Sequence, residues 1–324
     1  MIMARAPFRI SFIGGGSDLK DFYTQNGYGA VVSTTINKYM YIMIHNYFHD
    51  KIRIKYSKTE DVNKIEEIKH PLVKECLRIT GIEKGVEIAS IADVPAGTGL
   101  GSSSTFTICL LHALYAYKKK FVTKEQLARE ACRIEIDILK EPIGKQDQYA
   151  VSYGGLNYIR FNCDETVFVN PIVCKPEVKK ILQQNLLMFY VGSERKASQI
   201  LSEQKKNMDK HEKYEVAKKM IKLTEDMKDC LYKCAIRSFG DILHEGWILK
   251  KKLASKISNT VLDEYYKKAL KAGATGGKLL GAGGGGFFLF YCEPKYQERV
   301  RRSINLREFK FEFDDEGSKI VYMD

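Results

Sequence analysis

The residues best suited to chemistry lie at 95–104, between a predicted strand at 86–92 and a predicted helix that begins near residue 103. Alternating glycines permit positive φ angles and carry no side chain, so backbone N–H groups can converge on a phosphate. The helix N-terminus adds unpaired donors, and serine hydroxyls in its first turn can bind Mg²⁺. A flexible turn with a serine cap is the alternative, but phosphate binding is favoured. The residues of this phosphate loop are Pro95, Ala96, Gly97, Thr98, Gly99, Leu100, Gly101, Ser102, Ser103 and Ser104.

Other nucleotide-binding frameworks do not fit the chain. No GxxxxGK[ST] segment occurs, and the HRD, DFG and VAIK motifs of protein kinases are missing. A glycine-rich segment at 273–286 formally matches GxGxxG at its end, but it leads into a predicted strand rather than a helix, so we discount NAD binding. A glycine loop packed beside the phosphate loop explains this segment better.

A further glycine motif closes the first predicted strand. Gly14, Gly15 and Gly16 are followed at once by Ser17 and Asp18. Small residues let a ligand approach the backbone, and Asp18 is suited to accept hydrogen bonds from sugar hydroxyls. A tight turn in which Asp18 caps a helix at 19–26 explains the same pattern equally well.

Two carboxylates complete the set of candidate groups. Asp147 follows the helix that carries Glu135. A kinase that acts on a hydroxyl benefits from a carboxylate that accepts the proton, typically by about 10²–10⁴ in rate, and a second carboxylate can hold Mg²⁺ at the phosphates. For either residue alone, a solvated helix face is the simpler interpretation.

The predicted elements follow no regular βα alternation, which indicates an α+β fold. Strands are predicted at 9–13, 30–36, 39–46, 51–56, 86–92, 156–161, 186–191, 287–291 and 319–323. Helices are predicted at 103–117, 124–139, 196–208, 213–238, 239–255, 261–271 and 295–304. The pattern loosens at 164–178, and we place the boundary of two domains there, at residues 1–165 and 166–324.

The composition is that of a folded protein with a sizeable core: 324 residues, 44% of them hydrophobic. No apolar stretch of 18 residues and no secretory signal occur, so no membrane span is expected. Eight cysteines without a CxxC pair predict reduced thiols in the cytoplasm and argue against structural zinc. The net charge is +12, but we expect the lysine runs 118–120 and 250–252 to be solvated helix faces. No basic run interleaved with aromatics suggests nucleic-acid binding.

Together and in this order, the motifs resemble those of the GHMP kinases, which phosphorylate small molecules. The resemblance spans 6–291, with PAGTGLGSSS similar to the family pattern PxxxGLGSSA and Ser104 in place of alanine. It implies an N-terminal ribosomal-protein-S5-like domain, a C-terminal ferredoxin-like domain, and ATP with Mg²⁺. By resemblance, Ser102 and Glu135 hold Mg²⁺, Asp147 is the catalytic base and Arg9 assists the reacting hydroxyl. The spacing from Glu135 to Asp147 is about one residue longer than in mevalonate kinases.

Within the family, APFRISFIGGGSD, GKQDQYAxxYGG and KLLGAGGGG are similar to the motifs of kinases for heptose 7-phosphate and for fucose. This implies phosphorylation of the anomeric hydroxyl of a sugar phosphate, heptose 7-phosphate first, for nucleotide-activated heptose. Residues expected to contact the sugar are Gly15, Gly16, Ser17, Asp18, Gly283 and Gly284. Arg195, in a predicted helix start, is a candidate for the distal phosphate, and a plain helix start is the alternative.

Several alternatives stay open. The substrate could be an unphosphorylated sugar such as fucose or galactose. A non-catalytic sugar sensor or a decarboxylase could use the same fold, although the intact Asp147, Glu135 and Ser102 disfavour the sensor. The partner expected is a small sugar or sugar phosphate, and a homodimer is one option for the assembly.

Overall fold

The computed structural model describes residues 1–192, 197–208 and 210–324. Its strands are β1 (Ile2–Ile13), β2 (Tyr28–Asn46), β3 (Ile52–Lys55), β4 (Thr59–Val62), β5 (Val86–Ala92), β6 (Asn157–Asn162), β7 (Val167–Pro171), β8 (Leu186–Gly192), β9 (Gly276–Leu279), β10 (Gly286–Tyr291), β11 (Arg307–Glu308), β12 (Phe313–Asp314) and β13 (Lys319–Met323). Its helices are α1 (Lys20–Asn26), α2 (Pro71–Thr80), α3 (Ser102–Tyr117), α4 (Lys124–Cys132), α5 (Gln146–Tyr153), α6 (Pro176–Gln184), α7 (Ala197–Asn207), α8 (His211–Tyr232), α9 (Phe239–Lys251), α10 (Thr260–Ala272) and α11 (Pro294–Ile304). Short 3₁₀ turns lie at Ile65–Glu67 and Ile236–Ser238, and a π-helical turn at Arg133–Ile138 extends α4.

The first sheet is organised around β2. Its strand order is β13-β1-β2-β5-β3-β4, and β6 and β12 also pair with β2. The sequence predicted two strands at 30–36 and 39–46, and this prediction was wrong: one strand runs through both. The pairing of β1 with β2 shifts register between Pro7 and Phe8, because Pro7 pairs with Tyr39 and Phe8 with Ile36. A proline without an N–H is tolerated at such a bulge, and the two extra residues of β2 are absorbed there.

The second sheet, β11-β8-β10-β9, belongs to the C-terminal part of the chain. The two parts are joined tightly behind the first glycine motif. Phe12 of β1 meets Phe239 of α9 edge to face, with ring centroids 5.2 Å apart. The Lys278 ammonium donates hydrogen bonds to the carbonyls of Ser11 and Phe12, at 2.6 and 2.9 Å. The end of β1 is therefore fixed from both sides.

The boundary at 165/166 stays a prediction, and the strand pairing bears on where it lies. β7 pairs with β6 in the first sheet, whereas the second sheet begins with β8. In addition, β12 and β13 return from the C-terminal end to pair with β2 and β1. We propose that the first unit extends through β7 and also includes these two returning strands.

Candidate active site

The centre of the site is an ion pair between β1 and α5. Arg9 is 3% exposed, and its Nε and Nη2 atoms donate to the two carboxylate oxygens of Asp147 at 2.7 and 2.6 Å. The remaining guanidinium nitrogen, Nη1, donates to the carbonyl of Gly99 at 2.7 Å. A planar guanidinium suits this two-pronged contact with a carboxylate. The pair is therefore held in one orientation and tied to the phosphate loop.

The phosphate loop faces this pair. Gly97, Gly99 and Gly101 have φ angles of 78, 87 and 80°, and Gly101 lies directly before the first turn of α3. A Cβ atom on Gly101 would lie 3.2 Å from Oδ2 of Asp147, so the loop and the carboxylate adjoin each other. Both line one cavity of about 220 Å³. An anion in this cavity would meet the N-terminus of α3 on one side and Arg9 on the other.

Within the loop the residues divide by exposure to the cavity. The cavity wall includes the three glycines and the serines Ser102, Ser103 and Ser104. Thr98 and Leu100 are fully buried behind it, where the Thr98 hydroxyl donates to the Pro95 carbonyl at 2.9 Å. Ala96 lies outside the cavity wall as well. The residues outside the wall therefore shape the loop, whereas the glycines expose its backbone to the cavity.

The third glycine segment packs against the phosphate loop, as expected from its composition. A Cβ on Gly99 would lie 2.5 Å from the carbonyl oxygen of Leu280, and one on Gly281 would lie 2.5 Å from the Cα of Gly99. Such backbone-to-backbone contact has no room for side chains. Of the two glycines expected at the sugar, Gly283 lines the cavity, whereas Gly284 lies outside its wall.

Glu135 lies one layer behind the cavity. It is fully buried and accepts hydrogen bonds from the hydroxyls of Ser103, Ser104 and Thr107 at 2.7, 2.8 and 3.1 Å, and from the Gln148 amide. Burial raises the pKa of its carboxyl, and these hydrogen bonds oppose the shift. The residue belongs to the π-helical turn, which holds one residue more than an α-helical turn. This turn can absorb the longer spacing from Glu135 to Asp147.

A metal ion at this place would find oxygen ligands. The Ser102 hydroxyl is buried and has no hydrogen-bond partner among the described residues, and the Glu135 carboxylate is linked to the same helical turn. In that part of the chain, three or more His, Cys, Asp or Glu side chains nowhere converge into a metal-binding group. Mg²⁺ commonly takes one or two protein oxygens and completes its shell with phosphate and water. The Ser102 hydroxyl fits such an ion directly, whereas Glu135, whose two oxygens each accept two hydrogen bonds, would have to exchange some of these contacts to bind it.

The first glycine motif forms a wall of the cavity, but not through every expected residue. Gly15, Gly16 and Asp18 line it. The Ser17 hydroxyl lies behind the wall and donates to the carbonyls of Gly14 and Ala30 at 2.7 and 2.9 Å. Because these backbone groups occupy it, the structure does not support the predicted contact of Ser17 with the sugar.

Asp18 connects two parts of the wall. Its carboxylate accepts hydrogen bonds from the N–H groups of Gly16 at 2.8 Å and Gln146 at 3.2 Å. Burial raises its pKa, and the charge of Asp147 adds to the effect. Leu19 occupies the N-cap position of α1, and no side chain caps the helix there, so the alternative in which Asp18 is a helix cap was wrong. Asp18 instead fixes the glycine turn to the first turn of α5.

Two lysines of the cavity were missed from the sequence. Lys250 and Lys278 are 6% and 5% exposed and line the cavity, so the expectation that 250–252 is a solvated helix face was wrong for Lys250. Helical spacing gives a usable signal, since Lys250 follows buried Leu243 and Trp247 at intervals of four and three residues.

Gln204 of α7, 3% exposed, also lines the cavity. Arg195 lies outside the described residues.

Comparison with known proteins gives the family. The model of the GHMP kinases N terminal domain matches residues 66–155, and that of the GHMP kinases C terminal domain matches residues 227–309. The chain belongs to the GHMP kinase family. It is thus an ATP-dependent kinase of the sugar-kinase type, with the two-domain fold of that family.

Several relatives of this GHMP kinase are named as sugar kinases. It is 26% identical to a D-glycero-alpha-D-manno-heptose 7-phosphate kinase from Campylobacter jejuni, over 98% of both chains. It is 27% identical to a bifunctional fucokinase/GDP-fucose pyrophosphorylase from Arabidopsis thaliana, over 95% of this chain and 31% of the relative. The structure of a D-glycero-D-manno-heptose 1-phosphate kinase from Bacteroides thetaiotaomicron superposes with a TM-score of 0.81 and 27% identity, covering both chains completely.

Proposed function

We propose that this GHMP kinase transfers the terminal phosphoryl group of ATP to the anomeric hydroxyl of D-glycero-D-manno-heptose 7-phosphate and forms the 1,7-bisphosphate. The observation that carries the proposal is the Arg9–Asp147 pair, which shares one cavity with the phosphate loop. The full-length similarity to heptose phosphate kinases supports the sugar. The product would serve the synthesis of nucleotide-activated heptose.

The residues divide the work of phosphoryl transfer. Backbone N–H groups of the phosphate loop and of the first turn of α3 bind the phosphates. Asp147 accepts the proton of the sugar hydroxyl as the hydroxyl attacks. Arg9 holds Asp147 in position and offers positive charge to the phosphoryl oxygens. Because Arg9 also bonds the Gly99 carbonyl, the base and the phosphate loop keep a fixed distance.

We propose that Ser102 and Glu135 hold the Mg²⁺ that accompanies ATP. Mg²⁺ neutralises phosphate charge when it is bound. The buried Ser102 hydroxyl, which has no hydrogen-bond partner within the described chain, supports this assignment, and the hydrogen bonds from Ser103 and Ser104 keep Glu135 beside the same turn. Ser102 and Glu135 thereby orient the first turn of α3, which meets the phosphates.

The sugar would lie against the first glycine motif. Gly15 and Gly16 line the cavity without side chains, and the Asp18 carboxylate is fixed in the same wall by the Gly16 N–H. The distal phosphate is assigned by prediction to Arg195. If so, Arg195→Ala raises KM for the sugar phosphate far more than KM for ATP, and equal changes would contradict the assignment.

ADP release measured against a panel of sugars tests the proposal. The panel contains heptose 7-phosphate, heptose 1-phosphate, unphosphorylated heptose, fucose and galactose. Because the anomeric hydroxyl must be free, heptose 7-phosphate should react and heptose 1-phosphate should not. Turnover of heptose 1-phosphate, the substrate in the name of the Bacteroides relative, would overturn the proposed position of transfer.

A second candidate is a 1-kinase for an unphosphorylated sugar. The similarity to the Arabidopsis fucokinase over 95% of this chain favours it. A kcat/KM for fucose or galactose above that for heptose 7-phosphate would select this candidate. Sugar binding without ADP release from any sugar would favour the non-catalytic sensor.

The expected surroundings of the protein remain proposals. No helix in residues 1–192, 197–208 and 210–324 has the length and apolar content needed to cross a bilayer. All eight cysteines are free thiols, which supports the proposed cytoplasmic location.

A further inference from the structure

Lys250 is a buried cation without a carboxylate partner at hydrogen-bonding distance in the described chain. It lies near the end of α9, and its Nζ atom donates to the carbonyl of Leu279 at 3.3 Å and to that of Gly281. An ammonium has three N–H groups. Among the groups that the structure describes, these two carbonyls leave one N–H for a ligand.

The surroundings of Lys250 favour an anionic ligand. The described wall of the cavity carries three cations, Arg9, Lys250 and Lys278, and two carboxylates, Asp18 and Asp147. Arg9 and Asp147 form their own pair, and Asp18 accepts from backbone N–H groups. Basic side chains therefore outnumber carboxylates beside the phosphate loop, where a phosphoryl group would reduce the cost of charging a buried amine.

The same surroundings make the ammonium group of Lys250 easier to deprotonate. Burial, with a smaller contribution from Arg9 on β1, lowers its pKa to about 7, and Asp18 after β1 partly opposes the shift. Lys278 on β9 is the other cation nearby and is itself depressed by burial and by the charge of Lys250; Asp147 on α5 completes the charged groups of the wall. An anion bound at Lys250 would raise the pKa again, so binding would take up a proton.

We propose that Lys250 binds a phosphoryl oxygen of the substrates with its remaining N–H, while the other two hold the third glycine loop against the phosphate loop. This inference rests on the proposed phosphoryl transfer. The oxygen belongs either to the terminal phosphate of the nucleotide or to the phosphate of the sugar, and the two sources are separated by experiment. A purely structural tether of the glycine loop is the competing role.

Binding of AMP-PNP, ADP and heptose 7-phosphate is measured by calorimetry for the wild type, Lys250→Met and Lys252→Met. Lys252 is exposed and directly follows the end of α9, and it serves as the matched control, with unchanged affinities. Loss of a charge-assisted hydrogen bond should weaken one ligand roughly 10- to 100-fold in Lys250→Met. Weaker AMP-PNP with unchanged ADP identifies the nucleotide's terminal phosphate, and weaker heptose 7-phosphate identifies the sugar's.

Lys250→Arg gives a test that does not depend on the stability of the methionine variant. In two buffers of different ionisation enthalpy at pH 8, the wild type should take up as much as roughly one proton on binding the affected ligand. The arginine variant does not titrate and should bind without this uptake. Equal proton uptake in both proteins, or Lys250→Met affinities within about twofold of the wild type with only a lower Tm, would overturn the proposal. The nucleotide measurements stand even if no sugar is phosphorylated, so this inference and the proposed function can fail separately.

Discussion

Replacement of Asp147 by asparagine tests the proposed base most directly. In the native chain both carboxylate oxygens accept hydrogen bonds from Arg9, at 2.7 and 2.6 Å. Asparagine has the same size and keeps one accepting oxygen. Its NH₂ group, however, would face a guanidinium N–H, so one charge-assisted hydrogen bond is lost together with the group that accepts the proton.

The expected loss can be estimated for rate and for stability. A positioned general base contributes about 10²–10⁴ in rate, which corresponds to roughly 2.7–5.4 kcal/mol in the activation barrier. Loss of one hydrogen bond to a charged group costs about 1.5–3 kcal/mol of stability. The lower end is expected because the Asp147 side chain is 20% exposed and water can replace part of the contact. Arg9 keeps its bond to Gly99, so nucleotide affinity should change less than about threefold.

The assay is steady-state ADP release at saturating ATP and sugar, with a single-turnover measurement to separate chemistry from product release. Asp226→Asn is the matched control, because Asp226 is exposed on α8. Its kcat should equal that of the wild type. If Asp147→Asn keeps kcat within about threefold of the wild type while it folds normally, Asp147 is not the base.

Four further outcomes are expected. Gly99→Ala should lower the free energy of urea unfolding by several kcal/mol, because a Cβ there would lie 2.5 Å from a backbone carbonyl. Gly97 has a similar φ but no atom within 4 Å of an added Cβ, so Gly97→Ala should cost about 1–2 kcal/mol. Equal losses in the two variants would contradict the packing argument. Ser17→Ala should destabilise by about 1–3 kcal/mol through unpaired buried backbone groups and leave KM for the sugar unchanged; a large rise in that KM would restore its predicted contact with the sugar. Ser102→Ala should raise the Mg²⁺ concentration at half-maximal rate about tenfold or more, and an unchanged Mg²⁺ titration would remove it as a ligand. Burial raises the pKa of Glu165, but hydrogen bonds from two lysines and a tyrosine outweigh this and lower the pKa to about 2. The contribution of Glu165 to the stability of the fold is therefore complete above about pH 4.5 and lost as the pH falls toward 2. Glu165→Gln should flatten the acid side of a plot of unfolding free energy against pH.

The glycine loops could be located from the sequence because backbone geometry restricts residue type. Positive φ angles at Gly97, Gly99 and Gly101 are costly for other residues, so the loop is visible in the letters alone. The packing of the third glycine segment beside the phosphate loop was also expected from its composition, and the structure shows that packing at Gly99 and Gly281. The proximity of Arg9 to Asp147, by contrast, came from the family resemblance, since 138 residues separate them.

Residues whose role depends on orientation were harder to predict. Three consecutive lysines at 250–252 do not by themselves show which one turns inward, and the spacing of Lys250 from the buried Leu243 and Trp247 is needed to decide it. Ser17 and Asp18 are adjacent, and both bond backbone groups, yet only Asp18 lines the cavity. In a turn, the side chains of adjacent residues point in different directions, so residue type alone does not show which of the two faces the cavity. The bulge at Pro7 was missed because the pairing partner of a strand is not encoded locally.

The return of β13 to β1 has a consequence for how the protein is made. The strand that carries Arg9 receives its outer neighbour from residues 319–323, and the nearby contact of Arg5 with Glu316 joins positions 311 residues apart. While the chain emerges from the ribosome, the outer edge of β1 has no partner and is open to incorrect pairing. Synthesis of residues 319–323 closes that edge, so the nascent chain should depend on chaperones until these residues have left the ribosome.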